Sequence, residues 1–478
     1  MKKSKMLIYL MVLISIVLCI PSIIYLINNK TVDGFDAYYT FTLQKGNNER
    51  TGLISGIIVI GLLLIFSIIY ILVVKKENKI FKNKKQAFWF IIVISFIFMM
   101  ILPFLSADIY YYIGDSWLAA KYGENPYYTS VQDLQNRGIN DEILDNTGYW
   151  KGTTSIYGPL WNSIAKLLVS FSFGNVTIAL FIFKIASYLI HVLNSYLIYK
   201  ITKSKKYMLI YGLNPLVLVE FLSNVHNDIY LILFILLALF FLIKKKNVYF
   251  TMIFLALSIS IKYSTVLLVP FILIYCFRDK TVLKRLMFCL ISGIGIIALV
   301  VLFYLPYYKD VTIFTNMLVQ GNKYSQSIML FIMEKANRNI FEMISQLAIP
   351  TFLIIYVFTL IALLLKKNLK IRELMKSYNW IMIVFIFVIL ATFQKWYILW
   401  LLPTIIWQSK NMRKFILYLT ITAIIPSFDY FIAQNDPYIL GIGYSIKILV
   451  MSVVLLIIDV IINKFLYKLK IEEKTCHV

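Results

Sequence analysis

Long apolar runs recur along the whole chain, and they limit its fold more than any other feature. Clear examples are Met6–Ile27, Leu53–Val74, Ala87–Leu105 and Val176–Ile201. Each is close to the twenty or so residues that an α-helix needs to cross a bilayer. Because lipid offers no hydrogen-bond partners, a backbone that crosses it must satisfy its own polar groups, as a helix does. The sequence therefore predicts an all-α polytopic membrane protein.

The composition supports this prediction. Hydrophobic residues make up 60% of the chain and charged residues 15%, whereas a soluble domain is nearer half apolar and a quarter charged. The formal net charge is +24, which can indicate nucleic-acid binding. Here, however, most basic residues form short clusters between apolar runs, as in cytoplasmic membrane loops. We therefore expect anionic membrane lipids as partners, and no nucleic acid.

The basic clusters predict which helix ends face the cytoplasm. Placing every cluster on that side gives about fourteen transmembrane helices (range 11–14) with both termini cytoplasmic. The number stays open at 248–277 and 380–408, where each short pair is either one bent helix or a re-entrant pair. The clusters lie at 75–85, 203–206, 244–246, 278–285, 366–376 and 410–414.

This topology places two long loops outside, at 106–175 and 307–346. Within the first, the apolar segment Tyr157–Phe173 is short for a transmembrane helix, which predicts an interfacial or re-entrant helix. The second loop is either a lid or a passive connection. The chain divides into 1–86 with two helices and a basic loop, 87–305 with the first external loop, and 306–478 with the remaining helices.

The first external loop opens on SADIYYYIGDSWLAAKYGENPYYT at 106–129, which places a carboxylate at the membrane edge. Such a group is costly unless it pairs, stays hydrated or does chemistry. Within reach of a hydroxyl, Asp108 can act as a general base. The alternative is that Asp108 only stabilises a helix N-terminus, with the tyrosines forming an aromatic belt. If Ser106 caps a helix, four side chains share one face: Asp108, Tyr111, Tyr112 and Asp115. This helix would stop at Tyr122-Gly123.

A second polar segment is EFLSNVHND at 220–228. It places Glu220 in an apolar run, and His226, Asn227 and Asp228 at a predicted external turn. Ionisable residues in membrane segments are functional candidates, and a histidine can meet a phosphate or titrate. The alternative is a helical hairpin in which Asp228 caps the next helix. A metal site has little support, because the three histidines of the chain are scattered.

Two lysines lie far from the basic clusters. Lys262 has apolar and hydroxylic neighbours and can hold a lipid phosphate. Lys395 lies in QKWYILW at 394–400, where Gln394, Trp396 and Tyr397 add an amide and aromatic rings suited to a sugar phosphate. The alternative for both lysines is that they snorkel to the membrane interface.

Four segments, in this order, carry a family resemblance: DIYYYIGDSWLAAKYGENPY at Asp108–Tyr127, SIYGPLW at Ser155–Trp161, NPLVLVEFLSNVHND at Asn214–Asp228, and QKWYILWLLP at Gln394–Pro403. Together they resemble polyprenyl-phosphate-dependent glycosyltransferases of the GT-C superfamily. Within it they are most similar to the bacterial branch that includes the mannopyranosyltransferases of cell-envelope polysaccharides. The resemblance covers roughly Ala87 to Trp407. The chain departs from the family pattern in two respects. It has two additional helices before Ala87, and it has Ser223-Asn224-Val225 where a glycine pair is expected.

The resemblance implies an enzyme of the bacterial cytoplasmic membrane with its active site on the extracytoplasmic face. It would move one sugar, mannose or a similar hexose, from a polyprenyl-phosphate donor to a hydroxyl of a cell-envelope glycan or glycolipid, with inversion. No cofactor is expected, and metal dependence is left open. Asp108 is the expected general base, while Lys395, Lys262 and His226 are expected to hold the donor phosphate. The expected substrate-binding residues are Tyr112, Asp115, Tyr157, Glu220, Asn227, Asp228, Gln394, Trp396 and Tyr397.

Three other functions fit parts of the sequence. A transporter or flippase of lipid-linked glycans would need charged or broken helices within the membrane. A glycan ligase or polymerase would use a diphosphate carrier instead of a monophosphate. A protein that binds glycolipid without turnover would keep the same polar segments.

Overall fold

The computed structural model describes residues 2–28, 49–315, 325–428 and 444–475. Helices form nearly all the regular structure of these residues, and a parallel β-bridge joins Ser325 to Thr392. The protein is therefore an all-α membrane protein, as its apolar runs predict. Part of the predicted loop 307–346 lies outside the described residues.

Sixteen α-helices of eight or more residues lie in the described part of the chain. They are α1 (Lys2–Asn28), α2 (Glu49–Lys75), α3 (Lys84–Met100), α4 (Asp108–Lys121), α5 (Pro159–Ser170), α6 (Val176–Thr202), α7 (Lys205–Gly212), α8 (Asp228–Phe240), α9 (Val248–Ile259), α10 (Val269–Phe277), α11 (Val282–Tyr304), α12 (Ile328–Lys335), α13 (Arg338–Leu365), α14 (Ile371–Val384), α15 (Lys410–Thr422) and α16 (Tyr444–Thr475).

Shorter elements connect these helices. Short α-helices are Glu77–Ile80, Val131–Asn136, Glu142–Asp145 and Pro215–Val217, and π-helices are Leu218–Ser223, Phe241–Lys245 and Phe385–Ile389. The 3₁₀-helices are Gly148–Trp150, Tyr263–Leu268, Val311–Phe314, Lys395–Trp407 and Ile425–Phe428.

Six helices of the described residues are long and apolar enough to cross a membrane. They lie at 5–28, 56–75, 176–202, 282–304, 338–365 and 444–461. A seventh span results if Pro215–Ser223 and Asp228–Lys245 are one helix bent by 118°. Val248–Ile259 and Tyr263–Phe277 are shorter apolar helices. The total of about fourteen spans and the cytoplasmic termini stay predictions.

Short polar side chains fix several helix starts. Asn83, Asn175, Asn247 and Ser409 each accept a hydrogen bond from a backbone N–H three residues later, at the starts of α3, α6, α9 and α15. Such caps satisfy donors that the first helical turn leaves unpaired. The sequence predictions for α1, α2 and α6 are confirmed to within about four residues at each end.

Helix α3 ends at Met100, short of the predicted end at Leu105. Pro103 lacks the N–H that a continuing helix would use. The next two N–H groups, of Phe104 and Leu105, donate to Asn224 Oδ1 at 3.2 and 3.3 Å. The chain therefore leaves the helix at Ile101 and re-enters one at Asp108, the first residue of α4.

The packing of the helices brings distant polar segments together. Helix α6 packs on α3, α7 and α8, and α4 packs on α5. The 3₁₀-helix Lys395–Trp407 packs against α8 and α14. As a result the start of α4, the turn before α8 and the QKWYILW segment meet at one place. The N-terminal helices α1 and α2 also pack on each other, and α1 packs on α3.

Candidate functional site

Asp108 is the first residue of α4. The backbone N–H of Asp108 donates a hydrogen bond to Ser106 Oγ at 3.3 Å. Ala107 occupies the N-cap position without a side-chain cap. The helix ends at Lys121 and Gly123 follows with φ of +68°, which confirms the predicted end at Tyr122-Gly123. The side chain of Asp108 is 20% exposed, so its carboxylate can reach a ligand from the surface.

Four ionisable side chains form a continuous series that we call the ionic chain: Asp108, His226, Glu220 and Lys395. Oδ2 of Asp108 lies 3.6 Å from Nδ1 of His226, and Nε2 of His226 lies 3.1 Å from Oε2 of Glu220. Oε1 of Glu220 is 3.2 Å from Nζ of Lys395, which also donates to Ser427 Oγ at 2.7 Å. Beyond Asp108 the chain is almost fully buried, so its opposite charges must compensate one another.

The turn between Glu220 and Asp228 directs His226 into the ionic chain. The π-helix ends at Ser223, and Val225 adopts φ of +61°, a region that disfavours a β-branched residue. The His226 N–H then donates to the Glu220 carbonyl at 2.9 Å. This positive φ explains why glycine would suit this turn, and here a valine adopts it instead.

Trp396 fixes the plane of the His226 ring. The two rings stack with centroids 3.6 Å apart and an interplanar angle of 21°. Stacking restricts rotation of the imidazole, so its two nitrogen atoms stay close to Asp108 and Glu220.

A second ion pair lies beside the first. Lys262 Nζ donates to both carboxylate oxygens of Asp228, at 3.0 and 3.1 Å, and Trp400 Nε1 donates to Asp228 Oδ1 at 2.6 Å. The ammonium also lies 4.6 Å from the ring centroid of Tyr397 and 5.4 Å from that of Trp400. Asp228 is fully buried, whereas the Lys262 side chain is 17% exposed. Lys262 is therefore the most accessible of the three predicted phosphate-binding cations.

Aromatic side chains form a wall next to Asp108. The ring of Tyr112 meets those of Tyr157 and Trp161 edge to face, with centroids 5.2 Å apart in both pairs. Gly158 joins this wall to the segment before Lys262, because its N–H donates to the Ile261 carbonyl. A Cβ at Gly158 would lie 2.1 Å from the Ser260 carbonyl oxygen, so this close approach requires glycine.

The two carboxyls of α4 have different surroundings. Burial raises the pKa of Asp108, while the charges of His226 and Lys262 and the Ser106 hydroxyl lower it. Burial raises the pKa of Asp115 well above its ordinary value, while a hydrogen bond with the Ser155 side chain lowers it. Oδ1 of Asp115 has no hydrogen-bond partner among the described residues. Asp108 is therefore the better general base, since a base must be ionised to act.

The remaining predicted residues lie around this centre. The amide of Asn227 is fully buried, and neither its Oδ1 nor its Nδ2 has a hydrogen-bond partner in the described part of the chain. Gln394 precedes the 3₁₀-helix that carries Lys395 and is half-buried. No three His, Cys, Asp or Glu side chains in the described ranges are placed to share a metal ion, and metal dependence stays open.

Two residues whose roles were not predicted from the sequence hold the backbone around the ionic chain. Lys184, fully buried in α6, donates to the carbonyls of Ile101, Leu222 and Ser223 at 2.8, 2.9 and 2.9 Å. It thus neutralises the carbonyl ends of two helices that stop beside the site. A lone lysine in a long apolar run was the signal available in the sequence.

Asn224 is the other residue, and its role was not predicted from the sequence. Its Oδ1 accepts the Phe104 and Leu105 N–H groups, and its Nδ2 donates to Glu220 Oε2 at 3.0 Å. It therefore connects the segment that leads into Asp108 with the ionic chain.

The comparison with protein families identifies the chain. A family model described as alpha-(1->6)-mannopyranosyltransferase, N-terminal domain, matches residues 15–278. No curated protein and no solved structure matches the chain. The matched region begins within α1, so the two N-terminal helices belong to the family pattern instead of being additions to it. It includes Asp108, Glu220, His226 and Lys262, and it ends before Lys395. The chain therefore belongs to the alpha-(1->6)-mannopyranosyltransferase family and is a membrane mannosyltransferase.

Proposed function

We propose that the protein transfers one mannose or similar hexose from a polyprenyl-phosphate donor to a hydroxyl of a cell-envelope glycan or glycolipid. In this GT-C-type reaction the acceptor oxygen bonds to the anomeric carbon from the face opposite the phosphate, and the configuration inverts. The bond from that carbon to the phosphate oxygen breaks, and polyprenyl phosphate leaves with the electron pair. The acceptor proton passes to a carboxylate oxygen of Asp108.

The observation that carries this proposal is the place of Asp108 at the exposed end of the ionic chain. Its carboxylate reaches the surface, while His226 behind it is fully buried and stacked on Trp396. Burial raises the pKa of Asp108, which makes the ionised form a stronger base. A carboxylate that only capped α4 would need neither a histidine partner nor the charges behind it.

Lys262 is the cation best placed to stabilise the departing phosphate. Its ammonium keeps 17% exposure and already lies against two aromatic rings and a carboxylate. A phosphate that replaced part of its contact with Asp228 would gain a charge-assisted hydrogen bond. His226 and Lys395 are more buried, and we propose that they act by holding Asp108 and Glu220 in place.

The sugar would lie along the aromatic wall. The rings of Tyr112 and Tyr157 pack edge to face, and the half-buried ring of Tyr157 offers a surface that suits a pyranose ring. The unpartnered amide of Asn227 offers a donor and an acceptor for sugar hydroxyls, and a buried amide without partners is otherwise costly. Asp115, Gln394 and Tyr397 complete the proposed substrate-binding set.

The proposed location is the bacterial cytoplasmic membrane, with this site on the extracytoplasmic face. In the predicted topology the basic segments at 75–85 and 244–246 lie on the side of the membrane opposite Asp108, as cytoplasmic loops do. Labelling of single cysteines placed at Lys121 and Lys245 in intact cells tests this orientation. Equal accessibility of both from outside would contradict it.

The decisive experiment supplies purified protein with a panel of polyprenyl monophosphate and polyprenyl diphosphate sugars and identifies the products by mass spectrometry. We expect transfer from a monophosphate mannosyl donor, with the anomeric configuration inverted by NMR. Transfer of whole glycans from diphosphate carriers alone would show a ligase or polymerase instead. Tight donor binding without product would show a protein that only binds glycolipid.

One observation favours a second candidate, a transporter of lipid-linked sugars. The ionic chain crosses a helix pair bent by 118°, and broken helices with charged groups are typical of transporters. Proteoliposomes that contain a fluorescent polyprenyl-phosphate sugar separate the two functions. Movement of the lipid between leaflets without any transfer would support transport, and its absence would exclude it.

A further inference from the structure

A large cleft lies far from the ionic chain, between α9, α10 and α11. Its volume is about 660 Å³ and its lining is mostly apolar. Phe277 and Phe288 stack in its wall with ring centroids 5.1 Å apart. The charged residue of the lining is Lys246, which follows the π-helix at the end of α8. The cleft thus combines an apolar channel with a cation at its mouth.

The mouth of the cleft is strongly basic. The segments 244–246 and 278–285 contain seven Lys or Arg residues and one acidic residue, Asp279. Asp279 is 3.4 Å from the Arg278 Nε, so it pairs with a cation outside the cleft lining. Lys280 Nζ lies 5.9 Å from the ring centroid of Phe288, above the cleft wall. In the part of the chain that the structure describes, neither Lys246 nor Lys280 forms an ion pair, so both bring positive charge to this end of the cleft.

We propose that this cleft binds one anionic phospholipid of the adjacent leaflet. An acyl chain lies along α11 between Phe288 and Leu299, a path of about 16 Å at the helical rise. The headgroup phosphate lies between Lys246 and Lys280. Charge and shape both fit this class of ligand, since the apolar lining suits a chain and the basic mouth suits an anion.

The cleft is separate from the proposed donor site. Helix α8 and its π-helical extension run from Asp228, which pairs with Lys262, to Lys245, which precedes Lys246. These eighteen residues place the mouth of the cleft about 27 Å from Asp228 along the helix. A sugar carried by a lipid at Lys246 therefore cannot reach Asp108. The proposal does not depend on the proposed reaction.

Gly295 faces the open space of the cleft. A Cβ at this position would have no atom within 4 Å, and Gly295 lies in the lining. Gly293, on the same helix, also has open space at its Cβ but lies outside the lining, since residues two apart face different sides of a helix. A large side chain at Gly295 therefore fills the cleft, while the same change at Gly293 provides a matched control.

Native mass spectrometry of the full-length protein with phosphatidylglycerol, and with phosphatidylcholine of the same acyl chains, tests the proposal. We expect Gly295→Trp to weaken phosphatidylglycerol binding about tenfold and Gly293→Trp to stay within about twofold of the unmodified protein. Lys246→Gln with Lys280→Gln should weaken it about fivefold for each lysine and leave phosphatidylcholine unchanged. Equal binding by all variants would overturn the proposal.

A competition experiment addresses the other possible occupant. Polyprenyl phosphate added at equal concentration should leave the bound phosphatidylglycerol in place, because its own site lies elsewhere. Displacement would overturn the proposal and assign the cleft to the donor chain. If Gly295→Trp does not fold, the two exposed lysine substitutions decide the outcome by themselves.

Discussion

The Nδ1 atom of His226 lies 3.6 Å from Oδ2 of Asp108. This contact joins two segments separated by more than a hundred residues, one at the start of α4 and one at the turn before α8. His226 also contacts Glu220, so one imidazole connects an exposed carboxylate to a buried one.

The first prediction concerns Asp108 as the general base. Asp108→Asn should lower kcat by about a hundredfold or more, because an amide cannot accept the acceptor proton. Donor binding should change little, since the substitution keeps the side-chain volume. Single-turnover transfer and equilibrium binding of the donor, measured on the same preparation, check both statements.

The matched control is Asp145→Asn, the same change at an exposed carboxylate of the same loop. Among the described residues its side chain accepts a hydrogen bond from Gln135 alone, so activity should be retained. Near-normal turnover by Asp108→Asn would show that Asp108 is not the base.

The second prediction concerns pH. Activity should fall as the pH drops through the pKa of Asp108, because only the ionised carboxylate accepts a proton. Burial raises this pKa above the ordinary value of 3.8, so the acidic limb should lie above that pH. Lys262 lowers the pKa, and Lys262→Met should therefore move the limb to higher pH. Profiles of kcat/KM against pH measure both effects.

Lys262→Arg is the control for the pH prediction, since it keeps the positive charge. Its acidic limb should stay near that of the unmodified protein, although phosphate contacts differ between the two cations. If the acidic limb moved equally in Lys262→Met and Lys262→Arg, loss of the positive charge would not explain the shift. The group that titrates would then not be Asp108.

The third prediction concerns Glu220 and Lys395, which are both buried and 3.2 Å apart. Replacing one partner leaves the other charge buried without compensation, which costs about 3–5 kcal/mol. Glu220→Gln and Lys395→Met should each lower the unfolding temperature clearly. The double variant should be more stable than the sum of the single effects predicts, with a coupling of about 0.5–3 kcal/mol. Additive effects in the double-mutant cycle would argue against a direct pair.

The fourth prediction concerns Lys184 as a positioning residue. Lys184→Met removes three hydrogen bonds to the carbonyls that end the segments before Asp108 and Asn224. A displacement of about 1 Å at Asp108 costs roughly a hundredfold in rate, so kcat should fall while KM changes little. Lys166→Met, at an exposed lysine, should leave both constants unchanged.

A shift of the acidic limb distinguishes positioning from general instability in this variant. Misplacement of Asp108 relative to His226 changes the charges around it, so the limb should move when Lys184 is replaced. If Lys184→Met yields fewer folded molecules but keeps the same kcat and the same pH profile, Lys184 contributes to stability alone and does not position Asp108.

The sequence by itself determined the class of fold and the candidate residues. Apolar runs of transmembrane length allow only a helical solution in lipid, because each helix satisfies its own backbone. The cost of an ionisable group in such a chain singled out Asp108, Glu220 and Lys262 before any contact was known. The end of α4 at Gly123 also followed from local residue chemistry.

Only the tertiary structure decided which of these groups meet. Local sequence patterns do not predict the distance between Asp108 and His226, or between Glu220 and Lys395, because helix packing sets those distances. The same packing shows Lys395 paired behind Glu220, Lys262 at the accessible edge, and Lys184 bound to three carbonyls. A charge in an apolar run indicates that a partner is needed, but the tertiary structure determines which residue that partner is.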